Sequence, residues 1–134
     1  MYNEKQRVET YLRTSIKEIE LIEQMAAPIK EPNDFGLDIA GMTIFRACSM
    51  SLQYITENFI KIRNIATKAF FAPYKQVPWE SVFGMRNFLV HEYADVDDES
   101  IFKTIKEDLP ALKGAAQDIL SDLNEGKLDK FFKK

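Results

Sequence analysis

The chain has 134 residues, with 18 Lys and Arg against 21 Asp and Glu and a formal charge of −3. That length suits one domain with a core of its own and is too short for two. With 46% apolar and 29% charged residues a mostly disordered chain is excluded, and the acidic total excludes a non-specific nucleic-acid coater, so any RNA or DNA contact must come from a local patch. The single cysteine, Cys48, excludes an intramolecular disulfide and a Cys-built zinc site and fits a reducing, cytoplasmic setting. No apolar run approaches the roughly 18 residues of a membrane span, and Met1 to Arg7 lacks the apolar block of a signal peptide.

In chain order, Val8, Leu12, Ile16, Ile19, Ile22 and Met25 recur at spacings of three and four, the stripe of an amphipathic helix that should end near Pro28. Pro28 to Pro32 reads as a loop, with Asn33 or Asp34 as N-cap of the second helix. Ile44, Cys48, Leu52, Ile55, Phe59, Ile62 and Ala66 predict a long core helix fading before Pro73. Pro78 suits the first position of a third helix, with Trp79, Val82, Phe83, Leu89 and Val90 as its apolar members. Asp97 can cap a fourth helix carrying Ile101, Ile105 and Leu109, and Pro110 bends or restarts the chain into a last stretch with Leu112, Ala116, Ile119 and Leu123. Asn124-Glu125-Gly126 stops it. The expectation is an all-α, up-and-down bundle of four to five helices over residues 1–126, followed by a loosely held basic tail over 127–134.

Arg86 stands within the apolar stripe of the third helix. A guanidinium there must be paired, or must face an interface or cleft; Glu57 on the long helix is the candidate partner for a structural ion pair. His91 is the only histidine, the side chain whose unperturbed pKa lies near neutrality and the natural candidate for proton transfer. Asn87, one turn earlier, could fix its ring. At about 100° per residue, Arg86 and His91 stand roughly 140° apart around an ideal helix. They converge more easily across a two-fold axis, where each chain contributes to one composite cleft.

The octet Arg86-Asn87-Phe88-Leu89-Val90-His91-Glu92-Tyr93 resembles the Arg-x4-His-x-Tyr signature of HEPN-domain proteins, specifically the HepT-like ribonuclease toxins. Val77-Pro78-Trp79, Gly84-Met85-Arg86-Asn87, Val96-Asp97, Asp108-Leu109-Pro110-Ala111-Leu112, Arg7 to Leu12 and Arg46-Ala47 extend the likeness over most of the chain. One departure falls on the long helix, where Thr56-Glu57-Asn58 replaces the family's frequent Gly-Glu-Ala. The resemblance implies a dimerising helical bundle, a homodimer with the motif at its cleft, that cuts RNA without a metal and requires no cofactor. It also implies a type VII-like toxin–antitoxin pairing, in which a minimal nucleotidyltransferase antitoxin neutralises the toxin by transferring AMP to Tyr93. Arg86 and His91 would be catalytic, with Asn87 and Tyr93 in support.

Between Asn58 and Trp79 stand Lys61, Arg63, Lys68 and Lys75 and no acid. These cations read as a weak phosphate-tracking patch for RNA, and the interleaved Phe59, Phe70, Phe71, Tyr74 and Trp79 read mostly as core. The acidic run Asp95, Asp97, Asp98, Glu99 lacks the glycine and later glutamate of a calcium loop, so it reads as a solvated helix N-terminus and not as a metal site. The alternative to a nuclease is a non-catalytic helical adaptor whose Arg86, His91 and Tyr93 bind a nucleotide or serve as a modification site. A purely structural bundle leaves Arg86 and the one histidine unexplained.

Overall fold

The computed structural model describes residues 3–91 and 97–132, with the backbone alone at positions 87, 88, 90 and 91. Helix α1 (Glu4–Met25) opens on Asn3, whose side chain accepts from the Gln6 amide while the Gln6 side chain returns to the Asn3 amide. This reciprocal cap satisfies two otherwise orphaned donors. Val8, Leu12, Ile19 and Ile22 are buried along it, as the apolar spacing requires.

The cap of the second helix differs from expectation. Asp34 turns back to accept from the amides of Lys30 and Glu31, which closes a loop around the short 3-10 turn Pro32–Phe35. Asp38, not Asn33 or Asp34, is the N-cap of α2 (Ile39–Ala66), accepting from the Gly41 amide at 2.7 Å. Both aspartates cap something; Pro32 decides which, because it forces the intervening residues into a separate turn.

Helix α2 is 28 residues long and forms the spine. Cys48, Leu52, Ile55, Phe59, Ile62 and Ala66 are buried. Asn58 is buried too, and its amide donates to Thr14 Oγ1 at 3.1 Å and Ser15 Oγ at 3.0 Å, so α2 is stapled to α1 by a satisfied polar contact. The departure at Thr56 and Asn58 thus has a packing role: both side chains are interior, and Thr56 Oγ1 donates to the Gln53 carbonyl. Thr67, at φ 77°, ends the helix.

The chain then folds an aromatic corner. Phe70 and Phe71 are buried; Trp79 packs on Phe71 with ring centroids 4.5 Å apart and donates its indole N–H to the Tyr74 carbonyl at 2.8 Å. Pro78 precedes α3 (Trp79–His91) rather than opening it, its carbonyl accepting from Ser81 and Val82. Asp97 caps α4 (Asp98–Lys103), accepting from the Ser100 amide at 2.7 Å.

A π turn over Thr104–Asp108 connects α4 to α5 (Leu109–Asn124). Pro110 explains the widening: it lacks an N–H and its ring crowds the carbonyl four residues back, so the ladder dilates. Within that turn Lys106 donates to the Ala26 carbonyl at the end of α1, where positive charge is favourable.

The segment expected to be loosely held is docked as far as it is described. Leu128 is buried, Phe131 stacks on Phe70 at 5.6 Å and Phe132 meets the same ring edge-on. Burial of these apolar rings outweighs the local excess of lysine. The described residues contain no strand, and none of their helices is long and apolar enough to cross a membrane. The fold is an all-α helical bundle.

Candidate functional site

Helix α3 lies against α2; Val82 and Phe83 are buried, and the Phe83 ring faces Arg63 of α2. Arg86 leaves α3 one turn after Phe83 and meets Glu57 of α2, with Nε 2.5 Å from Oε1. Its side chain keeps 45% of its surface in water. The expected pairing with Glu57 is therefore present, and the guanidinium sits at the edge of the helix pair rather than in the core.

Beside it opens a shallow cleft of about 280 Å³, lined by Ile60, Arg63, Glu80, Phe83, Gly84 and Arg86. The Arg63 guanidinium lies 4.6 Å from the Phe83 ring centroid, a cation–π contact that holds it on the cleft wall. Nothing stands within 4 Å of where a Gly84 side chain would begin, so glycine leaves the floor open. The cleft brings two guanidinium groups to one wall, which suits phosphate oxygens.

The other expected cations go elsewhere. Lys61 reaches over Tyr11 at 5.5 Å, about 200° around α2 from Arg63 by helical geometry. Lys68 pairs with Glu80 at 3.1 Å, and Lys75 is exposed in a turn before α3. Sequence reading missed Glu80 and Gly84 as parts of the cleft; their spacing of three and four from Phe83 and Glu80 was the available signal.

The backbone of α3 continues to His91, so positions 86 and 91 lie on one uninterrupted helix. The side chains of Asn87 and His91, and Tyr93 altogether, lie outside the described residues. Asp97, from the acidic run, spends its carboxylate on the α4 cap; those hydrogen bonds hold its pKa below the usual carboxylate value. Phe59, Phe70, Phe71 and Tyr74 are buried and Trp79 is largely covered, so these rings are core and not a surface for bases.

Comparison with known proteins gives one consistent answer. A family model described as "Ribonuclease HepT-like" matches residues 15–119. A "Probable ribonuclease HepT" of Thermococcus cleftensis is 32% identical over 108 residues, covering 78% of this chain and 87% of that protein. A protein named "Putative RNase" from Caldanaerobacter subterraneus is 36% identical over 75 residues, 56% of this chain and 63% of its own. A two-part protein of Methanocaldococcus jannaschii, named as gamma-glutamylcyclotransferase and putative RNase, is 27% identical over 92% of this chain, which spans 52% of it. No solved structure matches. With a family model matched across residues 15–119, which include Glu57, Arg63, Arg86 and His91, the chain belongs to the HepT-like ribonuclease family.

Proposed function

We propose that this protein is a metal-independent RNA endonuclease whose composite site is built from Arg86 and His91 at the cleft of a homodimer. The observation that carries the reading is the water-facing guanidinium of Arg86 beside an open polar cleft, five residues before His91 on a continuous helix. Cleavage needs a base for the ribose 2′-hydroxyl, an acid for the leaving 5′-oxygen and cations around the phosphorane. As the 2′-oxygen bonds to phosphorus and the bond to the 5′-oxygen breaks, the proton leaves one site and is returned at the other. One histidine cannot hold both roles in a single step, whereas two copies supply two. His91 is given the proton transfer, worth about 10²–10⁴ in rate. Arg86 holds the phosphate with charged donors, and Asn87 orients imidazole or phosphate. Of the four cations expected to track RNA, only Arg63 shares the cleft wall with Arg86, and it tracks a neighbouring phosphate weakly.

The same reading makes the protein the toxin of a toxin–antitoxin pair, neutralised when a nucleotidyltransferase antitoxin transfers AMP to Tyr93. The bulk and negative charge of that group would then exclude RNA from the cleft. The adaptor reading draws support from the Arg86–Glu57 ion pair, which already engages the guanidinium at Nε. Expression of wild type beside His91→Ala, scored for growth and RNA integrity, separates the two. Toxicity and RNA loss confined to wild type are expected. Equal toxicity removes His91 from the chemistry, and harmlessness of both favours the adaptor.

A further inference from the structure

The cleft beside Arg86 holds one acid that the proposed chemistry does not use. Of its charged lining residues, Arg63 and Arg86 suit phosphate oxygens, whereas Glu80 repels them. Two circumstances explain why position 80 tolerates an acid. It stands in the first turn of α3, where negative charge is favourable, and Lys68 meets its Oε2 at 3.1 Å. Neither explains a carboxylate on the wall of a cleft for RNA. Among the described residues Lys68 is its one ion-pair partner, and 76% of the Glu80 side chain faces water. The carboxylate therefore keeps acceptor capacity toward the cleft.

The surroundings suit a flat ring. Gly84 follows Glu80 by four residues, so the two share one face of α3, and the space over Gly84 is open. A planar group can lie against the backbone there as it could not beside a larger residue. The Arg63 guanidinium, fixed over Phe83, adds a plane of the kind on which unpaired bases stack. At about 280 Å³ the cleft is at the small end of ligand pockets and suits one nucleotide rather than a duplex. The bases of single-stranded RNA are read on their Watson–Crick edges, and an ionised carboxylate there can only accept. Guanine presents N1–H and an N2–H side by side, two parallel donors for two carboxylate oxygens. Adenine and cytosine set an acceptor nitrogen beside their amine, and uracil flanks its one N–H with carbonyls, so each brings an oxygen or nitrogen lone pair against the carboxylate.

We propose that Glu80 is the specificity-determining residue of this cleft, reading the Watson–Crick edge of a guanine laid over Gly84 while Arg86 and Arg63 hold the adjoining phosphates. The inference rests on the nuclease reading for the identity of the ligand as RNA. It adds a base to a site so far argued from phosphate alone.

Fluorescence anisotropy of the full chain at low salt tests it, with far-UV circular dichroism as the folding control. The probes are uncleavable 2′-O-methyl oligouridines that differ in one central base. Wild type is expected to bind the guanine probe at least about tenfold more tightly than the other three. Glu80→Gln puts an amide in place of the carboxylate, which donates as well as accepts and so matches adenine N1 and N6–H. That variant is expected to lose the guanine advantage and favour the adenine probe. Gly84→Leu fills the open floor and is expected to remain folded without a guanine preference. Equal wild-type affinity for the four probes, or binding of none, overturns the subsite. So does a guanine preference that survives in Glu80→Gln or in Gly84→Leu. Cleavage of the matching unmodified RNAs separates this inference from the nuclease reading. Guanine-selective binding with no RNA cut overturns the nuclease reading and upholds the subsite; cutting with no base preference does the reverse.

Discussion

Glu57 and Arg86 join the middle of the long helix to the motif-bearing helix through a contact of 2.5 Å between Oε1 and Nε. The carboxylate meets the guanidinium at Nε, and an arginine engaged there still has its terminal nitrogens to offer an anion. Each partner keeps more than a third of its side chain in water, so the pair contributes little to stability. Glu57→Gln should shift unfolding by less than about 1 kcal/mol, with the difference shrinking at high salt. On the nuclease reading the same variant should lower kcat several-fold with stability nearly unchanged. Thermal melts at two ionic strengths beside RNA cleavage rates check both parts; a large loss of stability would make the pair a structural clamp instead.

The polar staple between α1 and α2 gives a different outcome. Asn58 is interior and its amide serves Thr14 and Ser15. Asn58→Ala removes those bonds, strands the Ser15 hydroxyl and leaves a small void. A loss of about 1–3 kcal/mol is expected, read as a lower urea midpoint with an unchanged slope. A midpoint within error of wild type would mean that the staple adds nothing.

Alkaline pH should weaken the fold through two buried acids. Burial raises the Cys48 thiol from 9.0 to about 11, against a smaller opposing pull from Lys106. The Tyr74 hydroxyl is pushed well above its ordinary 10.0, by burial first and then by its 2.6 Å hydrogen bond to Asp122. Both are groups whose neutral form the fold prefers, so the unfolded chain releases protons first. Stability is complete below pH 9 and declines as pH rises, through about 11 for Cys48, whose share is on the order of 2–3 kcal/mol. Tyr74→Phe should lower stability near pH 7 by about 1 kcal/mol and flatten the decline above pH 10. Melting temperatures from pH 7 to 11 check it, and parallel curves for the two proteins would contradict it.

Two glycines in helices should respond in opposite directions. A Cβ on Gly41 would collide with the Asp34 carbonyl oxygen, which is backbone and cannot turn aside. Gly41→Ala should cost about 1–3 kcal/mol by prying the entry loop from α2. Gly114 in α5 has nothing within 4 Å of its missing Cβ, so Gly114→Ala should stabilise by about 0.5–1 kcal/mol through helix propensity. Chemical denaturation of both variants decides the pair of signs.

Much of this was legible in the sequence because periodicity and capping act locally. The stripes of α1 and α2, the Asp97 cap and the break at Pro110 each depend on residues within a turn or two of one another. Even the Arg86–Glu57 pair was accessible, since a charge in an apolar stripe demands a partner. What sequence did not give were choices between near-equal local options, such as Asp34 against Asp38 as the cap, and contacts made across the fold. Phe131 and Phe132 lie among lysines and look solvated until Phe70 is seen to receive them. Lys61 and Arg63 are two residues apart in the chain yet leave α2 on different sides, which a count of cations conceals.

The wide turn at Thr104–Asp108 has a bearing on how this chain can vary. Ile101, Ile105 and Leu109 succeed one another at steps of four and are all buried; in an ordinary α-helix such steps would drift around the axis by about 40° each time. The slower winding of the π turn absorbs that drift. Remove one residue there, and the sixteen residues of α5 would rotate by about a quarter-turn, carrying Leu112, Ile119 and Leu123 out of the interior. The length of this short stretch is therefore as constrained as the identity of any side chain in it.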